Sequence, residues 1–502
     1  MDAPLPKATH EKLDYSDGNV SHDERSPAAE AASRVDAKKT LRQMDYRVIP
    51  IVTVLYLLSF LDRGNIGNAK VQGMEEDLEL TGNRYNLAYT VFFFPYALLE
   101  LPANLLLKKL SPSIWLPCIM IAWGLVTTLT GIVQNYHGLI AVRVMLGVAE
   151  AGQYPGCAYY LTTWYAPQDL GFRQGLFFSA AALAGSFSGL LAYGLAQMDG
   201  VGGLAGWRWI FIIEGIVTVV VGVGAFFLIT DSPAKAKFLT PEQRSWATHR
   251  VQTRGATEWD GVEAKEIESD QFQWKYVWRA FTDPQIWLGV IVDWAATCTI
   301  YGMSAFLPSI VANLGYSGNQ ANLLTIPVYV CACLLTVSLS WYSDRLKKRS
   351  LFVIFLLCAE LVGYVLAMIG SSQLINGLSY AGVFIATAAC YPAFVLIITW
   401  VLSNIAPTYK RASGTAVLVG IGNLAGAMAP NFFRPQDAPE YLLGLGLEIM
   451  MVSLGIISAV SLVFFYKSKN KKRAAEVANG ITLSHDELAD MGDRAPTYQY
   501  VL

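Results

Sequence analysis

Long apolar runs separated by short polar segments recur along the whole chain. A helix needs roughly 20 mostly apolar residues to cross the hydrocarbon core of a bilayer. Twelve runs of about that length are present, and we number them spans 1 to 12. They lie near residues 46–68, 85–107, 112–133, 138–161, 174–197, 208–230, 286–312, 319–342, 350–370, 378–402, 412–433 and 441–466. The pattern therefore predicts an all-α membrane protein with twelve transmembrane helices.

The polar residues are concentrated in two tails, one central segment and a few connectors. The expected division is a cytoplasmic N-terminal tail, a six-helix bundle, a cytoplasmic linker, a second six-helix bundle and a cytoplasmic C-terminal tail, at residues 1–45, 46–230, 231–284, 285–466 and 467–502. Lysine and arginine are enriched in alternate connectors, which by the positive-inside rule predicts that both termini are cytoplasmic. The N-terminal tail has no apolar signal-peptide core, so we expect span 1 to direct insertion.

The overall composition excludes an ordinary soluble protein. Of the 502 residues, 54% are hydrophobic and only 15% are charged, whereas soluble domains average about 25% charged residues. The seven cysteines all fall in apolar runs, so we interpret them as small packing residues and expect no disulfide framework and no metal site.

Short matching sequences occur at the same place in each half of the chain. The matches include Tyr154-Pro155 with Tyr391-Pro392, Thr163-Trp164 with Thr399-Trp400, and Ala166-Pro167 with Ala406-Pro407, at offsets of 236 to 240 residues. Several matches at nearly one offset indicate a duplication. Two related six-helix halves are typical of a transporter with its site near the membrane midplane, between the halves.

Charged residues inside the spans are costly and therefore informative, because a charge at the bilayer centre costs at least about 2.5–3.5 kcal/mol. Asp62 and Arg63 lie late in span 1. Adjacent helical residues point about 100° apart, so these two side chains are expected to contact different partners. The alternative is an interfacial pair that reaches the lipid headgroups.

Span 4 contains Arg143 and Glu150, seven residues apart. Seven residues are two helical turns, which places both on one face about 10.5 Å apart. This pattern suits a cavity that holds an anion and a proton, and the alternative is a structural charge network. The equivalent positions in the second half are the uncharged Tyr380 and Thr387, and this asymmetry favours a functional role.

The chain contains no Gly-Lys dipeptide, so it cannot form a phosphate-binding P-loop. Transport is therefore expected to be downhill or driven by an ion gradient. We expect a transporter that is not an enzyme and needs no cofactor beyond a proton gradient.

Four motifs carry a resemblance to a known family. They are Asp62-Arg63-x-Asn65-Ile66-Gly67-Asn68-Ala69, Arg143-x3-Gly147-x2-Glu150-Ala151-Gly152-x2-Pro155-Gly156, Trp207-Arg208-Trp209-x-Phe211-Ile212-Ile213-Glu214-Gly215, and Asn423-x2-Gly426 followed by Phe433-Arg434-Pro435. In these motifs the chain resembles the major facilitator superfamily, and within it the fungal permeases of the anion:cation symporter group related to allantoate, nicotinate and pantothenate transporters. The resemblance extends over about residues 40 to 468.

The resemblance implies proton-coupled uptake of a small organic anion across the plasma membrane by a monomer that binds no nucleic acid. Glu150 would be the proton-coupling carboxylate, with Asp62 tuning or sharing the proton path. Arg63 and Arg143 would hold the substrate carboxylate. Further candidates for substrate binding are Asn65, Tyr154 and Tyr391, and the candidates for gating loops are Asn104, Lys108, Lys109, Asp344 and Arg345. The alternatives are an exporter of a small organic acid or secondary metabolite, or a transporter-like nutrient sensor.

Overall fold

The computed structural model describes residues 35–252, 274–346, 348–478, 487 and 491–502. Most of the predicted N-terminal tail and the middle of the predicted linker lie outside these ranges. All regular structure in the described residues is helical. Ten of the described helices are long and apolar enough to cross a membrane.

Most of the predicted spans are single helices. Spans 1, 3, 5, 6, 7, 8, 9, 10 and 12 are Ala37–Ala69, Pro112–Thr130, Pro167–Ala196, Gly206–Leu228, Pro284–Asn313, Gly318–Leu346, Arg349–Ser372, Asn376–Ser403 and Leu442–Ala478. Span 11 consists of Thr408–Asn423, Ala425–Met428 and a 3-10 turn at Ala429–Phe432. Two short helices, Pro241–Gln252 and Trp274–Phe281, belong to the linker.

Spans 2 and 4 differ from the prediction because each is made of two consecutive helices. Span 2 is Arg84–Thr90 followed by Phe93–Lys109, and span 4 is Tyr136–Glu150 followed by Gln153–Trp164. At the break in span 4, Gly152 has φ −99° and ψ 2°, outside the helical range. Nine of the twelve predicted spans are thus single long helices and three, spans 2, 4 and 11, are interrupted, and the prediction of an all-α membrane protein is confirmed.

The two halves meet most extensively where span 5 packs along span 8. Small residues on span 5 make this close approach possible. A Cβ atom on Gly185 would lie 2.6 Å from the Tyr329 ring, and one on Gly189 would lie 2.6 Å from the backbone oxygen of Asn322. Glycines in this spacing let two membrane helices come within backbone contact.

The bundle has two distinct ends. The start of span 1 meets the start of span 5 through Asp45 and Arg173, and Tyr498 of the C-terminal tail bonds the backbone of Ser403 at the end of span 10. We call this the terminal end. At the opposite end the halves are joined by hydrogen bonds, including Asn86 Nδ2 to the backbone oxygens of Pro430 (3.0 Å) and Phe433 (3.2 Å). We call that the closed end.

Candidate functional site

A buried ion pair joins span 1 to span 4. The Nη2 and Nε atoms of Arg63 lie 2.7 and 2.8 Å from Oε1 of Glu150, and the two side chains are 6% and 1% exposed. The hydroxyl of Ser59 donates to the same oxygen. The other oxygen, Oε2, has no hydrogen-bond partner in the described part of the chain. Glu150 therefore keeps one free oxygen in a buried setting.

Arg63 also reaches the second half of the molecule. Its Nη1 donates to the Tyr301 hydroxyl of span 7 at 3.2 Å, and that hydroxyl donates to Oδ1 of Asn423 in span 11 at 2.9 Å. Glu150, Arg63, Tyr301 and Asn423 thus form one polar chain across the boundary between the halves. When one half rocks against the other, the hydrogen-bond distances along this row of polar side chains must change.

Aromatic rings surround the charged end of Arg63. The guanidinium carbon lies 4.8 Å from the ring centre of Tyr96, 5.3 Å from that of Phe60 and 5.4 Å from that of Phe92. Ring faces attract a cation, and the attraction is stronger where water is excluded. The rings therefore help to keep Arg63 charged when a partner anion is exchanged for another.

A cavity lies between the halves and includes Arg63 in its wall. Its polar lining comes from both halves, with Tyr96 and Tyr154 in the first and Tyr301 and Asn423 in the second. In this conformation its free space is enough for water and not for an organic ligand. Once the halves move apart, the arrangement offers Arg63 to an anionic group and the rings to an apolar or aromatic body.

A second small cavity is next to the first, and Phe60 lines both. Tyr391 lines this second cavity together with Asn68 and Ser188. The two tyrosines predicted from the duplicated motif, Tyr154 and Tyr391, therefore line neighbouring cavities and not one shared wall.

Asp62 and Asn65 point away from both cavities, into the first half. Asp62 Oδ2 accepts a hydrogen bond from Trp123 Nε1 at 2.7 Å and lies 3.5 Å from the hydroxyls of Thr127 and Thr218. The prediction that Asp62 and Arg63 contact different partners is confirmed.

Asn65 donates to Glu214 of span 6 and accepts from Ser188 of span 5 at 3.0 Å. Its contacts tie span 1 to two neighbouring helices of the same half. The structure therefore places Asn65 and Asp62 where they position span 1, beside the site and not in its wall.

Arg143 is buried close to the ion pair but is not part of it. Its Nε and Nη2 atoms have no hydrogen-bond partner among the described residues. The ionisable groups that act on it electrostatically include Glu150, Asp62, Tyr85 and Tyr89. Arg143 and Glu150 thus lie close enough to interact electrostatically, but the direct partner of Glu150 is Arg63.

The predicted gating loops are only partly described. Asp344 pairs with Arg349 at 3.0 Å, and a Cβ atom on Gly171 of span 5 would lie 2.6 Å from its Oδ2, so Asp344 contacts the opposite half. The Arg345 guanidinium lies 5.4 Å from the ring centre of Trp341. The side chains of Asn104, Lys108 and Lys109 lie outside the described part of the structure.

Sequence reasoning did not select Ser59. Tyr301 entered only as an aromatic residue that core packing explained equally well, and Asn423 only as part of a family motif. All three are uncharged, so the cost of burying a charge gave no signal for them. The same signal selected Asp293 in span 7 but not Glu100, although Glu100 lies within span 2. Asp293 faces Gly422 of span 11, and neither of its oxygens has a hydrogen-bond partner among the described residues. Glu100 Oε2 is likewise buried without a described partner.

Comparisons with known proteins agree on one family. Residues 52–430 match the sequence model of the Major Facilitator Superfamily. The chain is 36% identical to an uncharacterized transporter of Schizosaccharomyces pombe, C1002.16c, over 92% of this chain and 90% of the relative. It is 30% identical to the high-affinity nicotinic acid transporter of Saccharomyces cerevisiae, over 92% of this chain and 85% of the relative.

Among solved structures, the fold is similar to that of a bacterial homologue of the human lysosomal transporter Spinster in an inward-facing, unoccupied conformation. The TM-score is 0.60 at 17% identity, and the match covers 83% of this chain and 96% of that one. From the family match, the relatives and the fold together, we conclude that the chain belongs to the Major Facilitator Superfamily and is a multi-pass membrane transporter that resembles fungal nicotinate-type permeases.

Proposed function

We propose that the protein couples the inward movement of protons to the uptake of a small organic anion by alternating access. The observation that carries the proposal is the buried Arg63–Glu150 ion pair, whose Arg63 lines the cavity between the halves. An arginine holds a substrate carboxylate more readily when its own counter-ion is neutralised, and a carboxylate can be neutralised by a proton.

The coupling follows from competition for Arg63. While Glu150 is ionised, its Oε1 accepts a hydrogen bond from Nε of Arg63 and holds Nη2 at 2.7 Å, although Nη2 makes no hydrogen bond to a described residue. A proton on Glu150 frees these donors for the carboxylate of the substrate, in the two-point geometry that arginine favours. Proton binding then raises anion affinity, and anion binding raises proton affinity by the same factor.

Hydrogen bonds between the two halves connect substrate binding to the conformational change. Tyr301 and Asn423 of the second half are connected to Arg63. A bound anion that bridges Arg63 and Tyr301 contacts both halves, and it therefore stabilises the closed arrangement through which the carrier passes.

The driving force is sufficient for accumulation. A proton and a monovalent anion that move together carry no net charge, so only the pH gradient contributes. Two pH units correspond to about 2.7 kcal/mol, which supports accumulation of about a hundredfold.

The aromatic lining by Tyr96, Tyr154 and Tyr301 favours a flat carboxylate. The nicotinic acid transporter among the relatives supports the same class. We propose that the protein acts as a monomer in the plasma membrane with cytoplasmic termini, and that the proton gradient takes the place of a cofactor.

Uptake of labelled nicotinate, pantothenate and allantoate into cells that express the protein tests the proposal. We expect faster uptake of at least one of these at pH 5 than at pH 7.5, and loss of accumulation when a protonophore is added. Glu150→Gln should lose accumulation but still exchange labelled for unlabelled substrate, because the neutral side chain mimics the protonated state.

Glu214→Gln is the matched control, since Glu214 is a buried acid bonded to Asn65 away from the cavity. It should keep the pH response. Uptake that ignores the protonophore, or accumulation that survives in Glu150→Gln, would refute proton coupling through Glu150. Labelled substrate that leaves acidified cells against its gradient would instead show an exporter.

A further inference from the structure

Residues 491–502, which we call the tail segment, bind to the terminal end of the second half. Their hydrogen bonds go to the start of span 7, the end of span 10, the connector between spans 10 and 11, the start of span 11 and the end of span 12. All these elements belong to the same half.

A buried ion cluster anchors one end of the tail segment. Lys410 Nζ lies 2.8 and 2.7 Å from the two carboxylate oxygens of Asp493, and 2.5 Å from Oδ2 of Asp283. Gln285 Nε2 donates to Asp493 at 2.6 Å. Charge-assisted bonds in a buried setting require good geometry to offset the cost of desolvation, and this cluster provides several such bonds to one tail carboxylate.

The other end of the tail segment is recognised through its backbone and its aromatic rings. Asn404 makes two hydrogen bonds with the backbone of Val501, to its N–H at 2.7 Å and to its oxygen at 2.9 Å. Tyr500 stacks on Tyr466 with ring centres 4.7 Å apart, and Arg473 lies 4.6 Å from the Tyr500 ring centre. These contacts define a socket that matches the sequence of the tail segment.

The first half has an equivalent arrangement. The Asp45–Arg173 ion pair of spans 1 and 5 corresponds, through the duplication, to the Asp283–Lys410 pair of spans 7 and 11. In the first half the linker covers this region, since Arg250 pairs with Asp169 at 2.8 Å.

The duplicated tryptophans are covered in the same way. Phe238 of the linker stacks on Trp164 with ring centres 5.9 Å apart. In the second half, Trp400 donates to the backbone oxygen of Val501 at 3.1 Å. The terminal end of each half is therefore covered by a segment that lies outside the membrane.

We propose that the second half carries a peptide-binding socket whose ligand is the tail segment, and that the bound tail braces this half so that it moves as one rigid body. Among the described residues, the hydrogen bonds of the tail segment join spans 7, 10, 11 and 12 to each other, and none of them goes to the first half. The tail segment therefore stiffens one moving part, whereas a segment that bridged both halves would lock the carrier.

The docked tail segment is connected to the cavity through span 11. Span 11 is held at its start by Lys410 and carries Asn423 at the end of its first helix, where Asn423 accepts the hydrogen bond from Tyr301. Release of the tail segment frees the start of span 11 and loosens the position of Asn423.

Two variants of the full chain remove the docking in different ways. Gly492 has φ +56°, and a Cβ atom there would lie 2.6 Å from the backbone oxygen of Ala406, so Gly492→Ala blocks docking without a change of charge. Asp493→Lys places a second cation against Lys410 in the buried cluster. Gln499→Ala, at an exposed position of the same segment, is the control.

Hydrogen exchange measures the docking without reference to any substrate. The amides of Asp493, Tyr500 and Val501 donate to socket groups, and we expect them to exchange at least about tenfold faster in both docking variants. Gln499→Ala should match the unmodified chain. A synthetic peptide of residues 491–502, added to the Asp493→Lys protein, should restore protection in span 12 near Asn470. Equal exchange in all four proteins, or no effect of the peptide, would refute the socket.

The transport measurement tests the brace. With equal amounts of protein in the membrane, Gly492→Ala should take up nicotinate several-fold more slowly than Gln499→Ala. An unchanged rate after loss of protection would overturn the brace, and a faster rate would show that the tail inhibits transport. This second measurement rests on the proposed function, whereas the exchange measurement stands if nicotinate is not a substrate.

Discussion

Arg63 is shared between partners in different halves of the protein. It donates to Glu150 within the first half and to Tyr301 in the second. The Arg63 side chain thus connects Glu150, which can bind a proton, with the second half, which must move relative to the first. Its enclosure by aromatic rings keeps water away, which strengthens both interactions.

The bond between Arg63 and Tyr301 yields a prediction for one hydroxyl. Tyr301→Phe removes the link from Arg63 to the second half and leaves Asn423 without its donor. A hydrogen bond to a charged group contributes about 1.5–3 kcal/mol, so we expect KM for nicotinate to rise by about tenfold or more while the pH dependence persists. Tyr193→Phe, at an exposed position of span 5, is the control. An unchanged KM would contradict the role of Tyr301.

Asp493 yields a prediction about pH outside the membrane. Burial raises the pKa of its carboxyl above the ordinary value, Asp283 adds to this increase, and Lys410 and Gln285 oppose it. Other groups at the same position are Arg473, which donates to the Asp493 backbone oxygen, and the hydroxyl of Tyr500. The docked tail therefore binds a proton more tightly than the free tail does.

The sign of the pH effect follows from that difference. Protonation of Asp493 stabilises docking fully below the pKa of the free carboxyl. This stabilisation is lost as the pH rises through the raised pKa of the docked carboxyl. We expect exchange protection of the Val501 amide to fall as the pH rises through this range, after correction for intrinsic exchange. Asp493→Asn should show a flatter profile, and a wild-type profile with the opposite slope would contradict the prediction.

At the scale of the helices, the interruption of span 4 determines how Glu150 is presented. The first helix of this span ends at Glu150, and the chain leaves helical geometry at Gly152. Backbone groups freed at such a break are tolerated in a membrane only where protein or a cavity surrounds them. The break in span 4 meets this condition, because it lies beside the ion pair and next to the cavity.

The packing of span 5 on span 8 predicts opposite effects for two glycines of one helix. A Cβ atom on Gly189 would lie 2.6 Å from the Asn322 backbone oxygen, whereas one on Gly194 would meet no atom within 4 Å. We expect Gly189→Ala to lower the unfolding temperature, because overpacking costs about 1–3 kcal/mol. Gly194→Ala should be neutral or stabilising by roughly 0.5–1 kcal/mol. Equal melting temperatures for the two variants would show that the interface can relax.

At the scale of the whole molecule, the closed end holds the halves together by polar contacts that are individually weak. Tyr85 donates to the Ala305 backbone oxygen at 3.1 Å, and Asn431 donates to the Thr90 hydroxyl at 2.8 Å. Each such bond contributes about 0.5–1.5 kcal/mol. A few of them can close this end and still be broken when a transporter changes conformation.

Cross-linking tests whether the closed end must open. In a chain with Thr90→Cys and Asn431→Cys, we expect a short bis-methanethiosulfonate, which joins the two thiols through disulfides, to stop nicotinate uptake, and a reductant to restore it. Each single-cysteine variant controls for reaction at the exposed native Cys118 and Cys358. Full transport by the cross-linked protein would contradict alternating access through this end.

The sequence by itself determined the all-α class, the twelve apolar spans, the duplication and the set of buried charges. These properties depend on the local order of apolar and polar residues, and the bilayer requires about 20 apolar residues for each crossing. Even there, the breaks in spans 2, 4 and 11 were missed, because burial in the bundle compensates an interruption that composition alone does not show.

Only the tertiary structure decided which of the buried groups meet. It paired Glu150 with Arg63 and not with Arg143, turned Asp62 away from the cavity, and brought Tyr301 beside Arg63 across 238 residues of sequence. It also placed the tail segment on the second half. Such pairings depend on the rotation of each helix and on the distances between helices. The order of residues along one span fixes neither of these quantities.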